Sequence, residues 1–206
     1  TVLSSASLIS KYKTTEDDDK RLKHVERIKS AVSNLTSILN DFLSISRIEE
    51  GKIYNVPTEF DLVAFTTDIT EEMQGVVKVG QRIYYEHTGD KTIVNLDKNL
   101  LKNILFNLLS NASKYSAVGK DIYLNTELTD NTLTLKVKDQ GIGIPEADKT
   151  HLFTPFFPAQ NVTNIQGTGL GLNIVKRYVD IMQGTLDYTS ELNQGTTFTI
   201  TIPQSA

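Results

Sequence analysis

Four polar side chains follow one another along a predicted helix at spacings that place them on one side of it. Asn107, Asn111, Lys114 and Tyr115 are separated by four, three and one positions. An asparagine oxygen suits Mg²⁺, which keeps several waters and takes few protein ligands beside phosphate oxygens. Lys114 can bring a positive charge to phosphate, and Tyr115 can offer a flat surface to a base. This face suits a magnesium nucleotide, although a solvated helix surface would show the same residue types.

Two glycine-rich segments supply further candidate groups. Asp139 ends an alternating strand pattern and precedes Gly141 and Gly143, so its carboxylate can accept a hydrogen bond from an amine where the backbone approaches a flat ring. The second segment opens an apolar-periodic helix, whose first amides favour a phosphate. Its residues are Gly167, Thr168, Gly169, Leu170 and Gly171. Because no Gly-Lys-Ser/Thr follows, it is neither a P-loop nor a dinucleotide fingerprint.

Aromatic residues and a polar stretch lie between the two glycine segments. Phe153, Phe156 and Phe157 can anchor one end of residues 158–166, which have little else to bury. A mobile lid over a nucleotide has this composition, and so does a plain surface loop. For the phenylalanines themselves, packing is the favoured interpretation over ligand contact.

Alternating helical and strand patterns must position these groups. Periodicity predicts helices over residues 61–77, 97–115 and 170–183, the second of them capped by Asp97. It predicts strands over residues 82–87, 92–96, 121–128, 132–138, 185–190 and 196–202. The turn residues at 129–131 separate two strand patterns, which predicts a hairpin and a sheet that is at least partly antiparallel.

The first fifty residues predict a helical hairpin. A helix ends near residue 13, and Thr15 with Asp18 resembles a capping box that begins the next helix, which continues to Gly51. Its apolar residues step by three or four and comprise Leu22, Val25, Ile28, Val32, Leu35, Ile38, Phe42, Ile45 and Ile48. Two helices cannot bury such a seam alone, so a homodimeric four-helix bundle is expected. The domain boundary is predicted near residue 53.

Composition narrows the classes of partner and site. A chain of 206 residues, 39% of them apolar, can bury a core in one or two domains. Its net charge of −4 disfavours nucleic-acid binding through overall charge. The lack of cysteine excludes thiolate metal sites and fits a cytoplasmic location. No stretch approaches the roughly 20 apolar residues of a membrane span, so no membrane contact is expected. The abrupt start inside an apolar pattern predicts a piece of a longer protein.

Taken together, four blocks of the chain resemble the N, G1, F and G2 boxes of the sensor histidine kinases, whose ATP fold is shared with gyrase, Hsp90 and MutL. The blocks lie at residues 97–116, 139–145, 152–157 and 167–172, and the resemblance extends over residues 15–203. It implies an α+β chain with a dimerisation hairpin at residues 1–53 and an ATP-binding domain at 54–206. That domain should contain a mixed five-stranded sheet under three helices.

The resemblance also implies roles for the candidate residues. Asn111 corresponds to the Mg²⁺ ligand, with Asn107 close by, and Lys114 to a phosphate contact; Asn111 and Lys114 are the expected catalytic residues. Tyr115 corresponds to a wall beside adenine and Asp139 to the acceptor for the adenine amine. The glycine partners of that acceptor are Gly141 and Gly143. The lid hinge and phosphate loop correspond to Gly167, Thr168, Gly169, Leu170 and Gly171.

In this family the γ-phosphoryl group of Mg-ATP passes to a histidine and then to an aspartate of a response-regulator receiver domain. The accepting histidine sits in a His-Glu-x-x-x-Pro stretch, which this sequence lacks. Its three histidines do not replace it, and His24 in particular is expected at a solvated helix position. The resemblance therefore implies a homodimeric kinase fragment that binds ATP and does not autophosphorylate.

Two other functions remain open at this point. Pro158 stands where relatives often carry a basic residue, which suggests a non-catalytic, nucleotide-binding dimerisation module. An ATPase of the gyrase or Hsp90 type is disfavoured, because no obvious hydrolytic glutamate accompanies Asn111 on its helix.

Overall fold

The structure, a computed structural model, describes residues 2–12, 17–129, 132–157 and 168–204. In these ranges the helices are α1 (Val2–Lys11), α2 (Asp18–Glu49), α3 (Leu62–Gln74), α4 (Lys98–Tyr115), α5 (Glu146–Lys149) and α6 (Gly171–Ile181). The strands are β1 (Thr58–Asp61), β2 (Ile83–Thr88), β3 (Ile93–Leu96), β4 (Ile122–Leu128), β5 (Thr132–Lys138), β6 (Thr185–Glu191) and β7 (Gly195–Pro203). The chain divides into two compact units, residues 1–46 and 47–206.

The first unit contains α1 and most of α2. The predicted seam along α2 is largely exposed in the single chain, with Leu35 66% and Phe42 58% accessible. The solvated position expected for His24 is wrong. His24 is only 8% exposed, because Ser5 and Tyr12 cover it: its Nδ1 lies 3.2 Å from the Ser5 hydroxyl and its ring stacks on Tyr12. Thr15, the predicted capping residue, lies outside the described residues.

The second unit is built on a mixed five-stranded sheet, in the order β2-β4-β5-β7-β6. Strands β2 and β4 are parallel, and the other neighbouring pairs are antiparallel. Alternate residues along β4, β5 and β7 are buried, so one face of the sheet carries the core. The antiparallel pairing of β4 with β5 confirms the predicted hairpin, although Asp130 and Asn131 lie outside the described residues.

Of the described helices, α3, α4 and α6 pack on the buried face of the sheet, with α4 in the middle. The apolar side of α4 is almost fully buried through Leu101, Ile104, Leu105, Leu108 and Ala112. Asp97 begins the helix as predicted, since its Oδ1 accepts hydrogen bonds from the amides of Asn99 and Leu100. Its Oδ2 accepts one more from the Val56 amide. These contacts anchor the first turn of α4.

Most predicted helices and strands agree with the structure to within a few residues. The structure also contains two short elements that the sequence patterns do not predict, β1 and α5. Strand β1 pairs with β3 in a separate two-stranded ribbon, and α5 is a single turn. The domain boundary near residue 53 stays a prediction. Among the described helices, none combines the length and the hydropathy that a membrane-spanning segment requires.

Candidate nucleotide-binding site

The polar side of α4 forms the floor of the candidate site. Asn107, Asn111, Lys114 and Tyr115 all lie within α4 and are partly buried. The Asn107 amide nitrogen donates to the carbonyl of Asn103 at 2.9 Å, which turns its oxygen away from the helix backbone. The Lys114 ammonium lies 3.1 Å from the Tyr115 hydroxyl and 4.7 Å from the centre of the Tyr115 ring. A cation and an aromatic surface therefore occupy neighbouring positions at the end of the helix.

Gly171 brings the second glycine segment against the two asparagines. A Cβ atom added to Gly171 would lie 2.8 Å from Asn107 Oδ1 and 3.8 Å from Asn111 Nδ2. Only glycine permits this approach without displacing Asn107. Because α6 begins at Gly171, its first amides and the positive end of its dipole lie beside the asparagines. An anion bound at the start of α6 would lie close to the first amides of that helix and to the side chains of Asn107 and Asn111.

Asp139 directly follows β5 and has one carboxylate oxygen committed to the backbone. Its Oδ1 accepts hydrogen bonds from the amides of Gly141 at 2.8 Å and Thr196 at 3.2 Å. Among the described residues, none donates to its Oδ2. The side chain is 7% exposed, and this burial raises the pKa of the carboxyl above its ordinary value, while the two backbone hydrogen bonds act in the opposite direction. The second oxygen is thus available to a ligand donor.

The loop after Asp139 is held against the end of α4. The Ile142 amide donates to the Tyr115 carbonyl at 3.2 Å, and a Cβ at Gly141 would lie 2.6 Å from the same carbonyl oxygen. Gly143 has φ +67°, and a Cβ there would lie 2.1 Å from the Glu191 carbonyl. Glycine is therefore required at both positions, and the loop that carries Asp139 meets the residue that carries the aromatic surface.

The aromatic segment divides into a buried and an exposed part. Phe153 packs edge-on against Tyr188 at 5.9 Å, and its carbonyl accepts from the side chain of Asn173 in α6. Phe156, by contrast, is 66% exposed at φ +60° and donates its amide to the Gly169 carbonyl at 3.1 Å. Packing is thus found for Phe153 and not for Phe156. The predicted lid, with Pro158 and Gly167, lies outside the described residues.

Two site contacts could not be found from the sequence. The amide of Thr196 orients the Asp139 carboxylate, and the amide of Asn193 donates to the Ile142 carbonyl at 2.9 Å. Both residues lie more than fifty positions after Asp139 and contribute only backbone, so no residue type marks them. Their role depends on the pairing of β5 with β7.

Comparison with known families decides what this arrangement is. Residues 96–206, slightly more than half of the chain, match the family described as histidine kinase-, DNA gyrase B- and HSP90-like ATPases. The chain belongs to this ATPase family. Every candidate site residue described above lies within the matched range, from Asn107 to Thr196.

Sensor histidine kinases are among the proteins to which this chain is similar. The sensor histidine kinase RcsC of Salmonella typhimurium is 34% identical over 189 residues, which cover 88% of this chain and 20% of that protein. The chain thus spans about a fifth of the length of this curated relative.

Solved structures agree with the observed fold. Full-length ShkA, solved in complex with AMPPNP, is 26% identical with a TM-score of 0.77, over 100% of this chain and 42% of that one. The histidine kinase ThkA, solved in complex with the response regulator protein TrrA, is 21% identical with a TM-score of 0.71, and the match covers 99% of this chain and 57% of that one. At that identity, the ThkA likeness shows the fold alone. The helical segment followed by a mixed five-stranded sheet with helices is therefore the histidine kinase fold.

Proposed function

We propose that this chain binds Mg-ATP and is the ATP-binding catalytic core of a sensor histidine kinase. The parent protein would transfer the γ-phosphoryl group of ATP to a histidine, for relay to an aspartate of a response regulator. Membership of the ATPase family and the kinase relatives support this assignment. The observation that carries it is the position of Gly171, where an added Cβ would lie within 4 Å of both Asn107 and Asn111, so that the N-terminus of α6 lies beside two amide side chains.

At the base end of the site, Asp139 and Tyr115 are the proposed contacts. The Asp139 Oδ2 faces no donor among the described residues, so it can accept the exocyclic amine of adenine. Tyr115 offers its ring as a wall, and Gly141 lets the loop after Asp139 lie against the Tyr115 backbone, because a Cβ there would lie 2.6 Å from the Tyr115 carbonyl oxygen. Asp139 and Tyr115 together would distinguish adenine from a base that carries a carbonyl in place of the exocyclic amine.

At the phosphate end, the proposed contacts come from α4 and the start of α6. The residues present fit a magnesium-bound triphosphate: Asn111, with Asn107 beside it, offers neutral oxygen, and Lys114 offers a mobile cation. The proposed phosphate loop comprises Gly167, Thr168, Gly169, Leu170 and Gly171. Magnesium, when bound, would neutralise charge on the transferred phosphoryl group. The protein's part is to hold the phosphates in place and to present positive charge to them.

We further propose that these 206 residues do not autophosphorylate. The sequence has no His-Glu-x-x-x-Pro stretch, and His24 is enclosed by Ser5 and Tyr12, so its ring is not presented to an incoming phosphate. Phosphoryl transfer would then need a histidine from another part of the parent protein.

A second copy of the chain is the proposed partner of the exposed seam on α2. Leu35, Phe42 and Leu22 are each more than half exposed in the single chain, and apolar residues at this spacing normally pack against facing helices. The parent kinase would also bind a receiver domain, which is proposed from the kinase relatives.

The proposed activity is tested by supplying the missing acceptor. The chain is incubated with Mg-ATP labelled at the γ-phosphate and a separately produced helical hairpin that carries the His-Glu-x-x-x-Pro stretch. Acid-labile, base-stable label on the hairpin is expected, and it should be lost in the Asn111→Ala variant. ATP binding without transfer would indicate a non-catalytic module instead. Steady release of phosphate into solution would indicate an ATPase.

A further inference from the structure

A polar network from outside the nucleotide site holds the end of α4. Gln81 lies in the loop between α3 and β2 and is only 2% exposed. Its side-chain amide donates to the carbonyls of Ser113 at 3.1 Å and Ala117 at 3.0 Å. The last carbonyls of a helix lack partners within the helix, and burying them without a donor is costly. Gln81 therefore supplies donors that this helix end requires.

Two further groups complete the same network. The Gln81 side-chain oxygen accepts from the Ser113 hydroxyl at 2.6 Å and from the Lys78 amide at 3.1 Å. The Lys78 ammonium donates to the carbonyls of Lys114 at 2.7 Å and Ser116 at 2.8 Å. A cation at this place also suits the negative end of the helix dipole. Gln81 and Lys78 together form what is called here the α4 clamp.

The α4 clamp acts on the segment that carries two proposed nucleotide contacts. Lys114 contributes its carbonyl to the clamp and its ammonium to the site. The next residue, Tyr115, presents its ring to the site and its carbonyl to the Ile142 amide at 3.2 Å. Movement of this last turn would therefore shift the cation, the aromatic wall and the loop that follows Asp139.

We infer that Gln81 and Lys78 are positioning residues of the nucleotide site, acting through the last turn of α4. This inference rests on the proposed function, since it assigns Lys114 and Tyr115 to nucleotide contact. Neither Gln81 nor Lys78 has a hydrogen bond to the proposed ligand-binding side chains. They bind the backbone on which those side chains stand, so they act before any nucleotide arrives.

The first test compares nucleotide affinity in variants that keep the side-chain length. Gln81→Met removes every polar contact of the buried amide, and Lys78→Met removes only the exposed ammonium, so the second variant folds even if the first does not. Calorimetric titration with Mg-ATP is done at a temperature where each protein is fully folded. Gln81→Met should raise Kd roughly tenfold and Lys78→Met roughly threefold, because the freed side chains must be ordered again on binding.

The matched control is Thr126→Val, which breaks a buried polar network elsewhere in the same unit. The Thr126 hydroxyl is hydrogen-bonded to Tyr85 at 2.9 Å and to His87 at 2.8 Å, with no contact to α4 in that network. This change should lower the unfolding temperature and leave the Kd for Mg-ATP unchanged. A rise in Kd equal to that of Gln81→Met would show that general destabilisation explains both, and would overturn the inference.

The second test needs no nucleotide. Amide hydrogen exchange is measured by NMR at Ile142, whose amide donates to the Tyr115 carbonyl. Exchange there should become at least several-fold faster in both clamp variants and stay unchanged in Thr126→Val. If Kd and Ile142 exchange are both unaltered in the folded clamp variants, the inference is wrong. If the unmodified chain binds no Mg-ATP, the proposed function fails, and the exchange result alone decides whether the clamp positions this turn.

Discussion

Asp139→Asn separates ligand recognition from folding, because the two carboxylate oxygens have different partners. The carboxylate uses Oδ1 for the amides of Gly141 and Thr196, and an asparagine oxygen can accept the same two bonds. The replaced atom is Oδ2, which becomes an NH₂ group that donates. A donor would then face the exocyclic amine of adenine, which also donates. The protein should fold normally and bind ATP poorly.

The size of the effect follows from two losses. A hydrogen bond to a charged group contributes about 1.5–3 kcal/mol, and a donor left without an acceptor adds a desolvation cost of about 1–3 kcal/mol. A combined loss on the order of 3 kcal/mol corresponds to a Kd for Mg-ATP that is at least about a hundredfold higher. Stability without nucleotide should not fall at pH 7, because the change removes a buried charge.

Calorimetric titration with three nucleotides gives the prediction its specificity. The unmodified chain should bind purine riboside triphosphate, which lacks the amine, more weakly than ATP, and Asp139→Asn should no longer prefer ATP to that analogue. Inosine triphosphate offers a carbonyl in place of the amine, so the variant should prefer it to ATP.

Asp97→Asn is the matched control for the same chemical change. Asp97 is also a buried carboxylate that accepts backbone hydrogen bonds. It lies at the start of α4, whose eighteen residues span about 27 Å, whereas the loop after Asp139 meets the end of that helix. Asp97→Asn should lower stability and leave nucleotide affinity alone. Unchanged ATP affinity in a folded Asp139→Asn protein would refute the assignment of this carboxylate to adenine.

Three further predictions concern the glycines and the pH dependence. Gly171→Ala should raise the Kd for Mg-ATP about tenfold with little loss of stability, since the new Cβ displaces only the side chain of Asn107; calorimetry measures both. Gly143→Ala should destabilise the protein by about 1–3 kcal/mol, because residue 143 has a positive φ and because a Cβ there would collide with the Glu191 backbone. An unaltered unfolding temperature would contradict this. Burial raises the pKa of Asp139 above 3.8, so its contribution to stability is present below that pH and is lost as the pH rises through the folded-state pKa. The unfolding temperature of the unmodified chain, measured relative to that of Asp139→Asn at each pH, should therefore decline as the pH rises from below 3.8 to neutrality.

Local patterns allowed the sequence to predict most of the second unit. The predicted helix at 97–115 and the observed α4 at 98–115 differ by one residue, because its apolar spacing and its Asp97 cap are both local signals. The position of Asp139 directly after β5 follows in the same way from strict alternation along that strand. Asn111, Lys114 and Tyr115 consequently share a helix side as expected, while their chemical roles stay predictions.

Sequence patterns do not predict the features of this fold that depend on distant partners. Strand β1 has four residues and follows Pro57, so it shows hardly any alternation, and its pairing with β3 stabilises it. The sequence around His24 predicts a solvent-exposed side chain, because nothing in its own helix gives a reason to bury it, whereas Ser5 and Tyr12 cover it from an earlier segment. The α4 clamp likewise arises from two loops that approach each other so closely that a Cβ added to Gly80 would lie 3.5 Å from the Gly119 backbone.

Thermal unfolding with and without Mg-ATP tests the central claim most directly. A nucleotide at about 100 times its Kd stabilises the native state by about 2.7 kcal/mol, which should raise the unfolding temperature of a unit of this size by roughly 5–10 °C. We expect this rise to require magnesium and to shrink in the Asn111→Ala variant. No rise at millimolar Mg-ATP, or an equal rise in Asn111→Ala, would contradict the proposed nucleotide site.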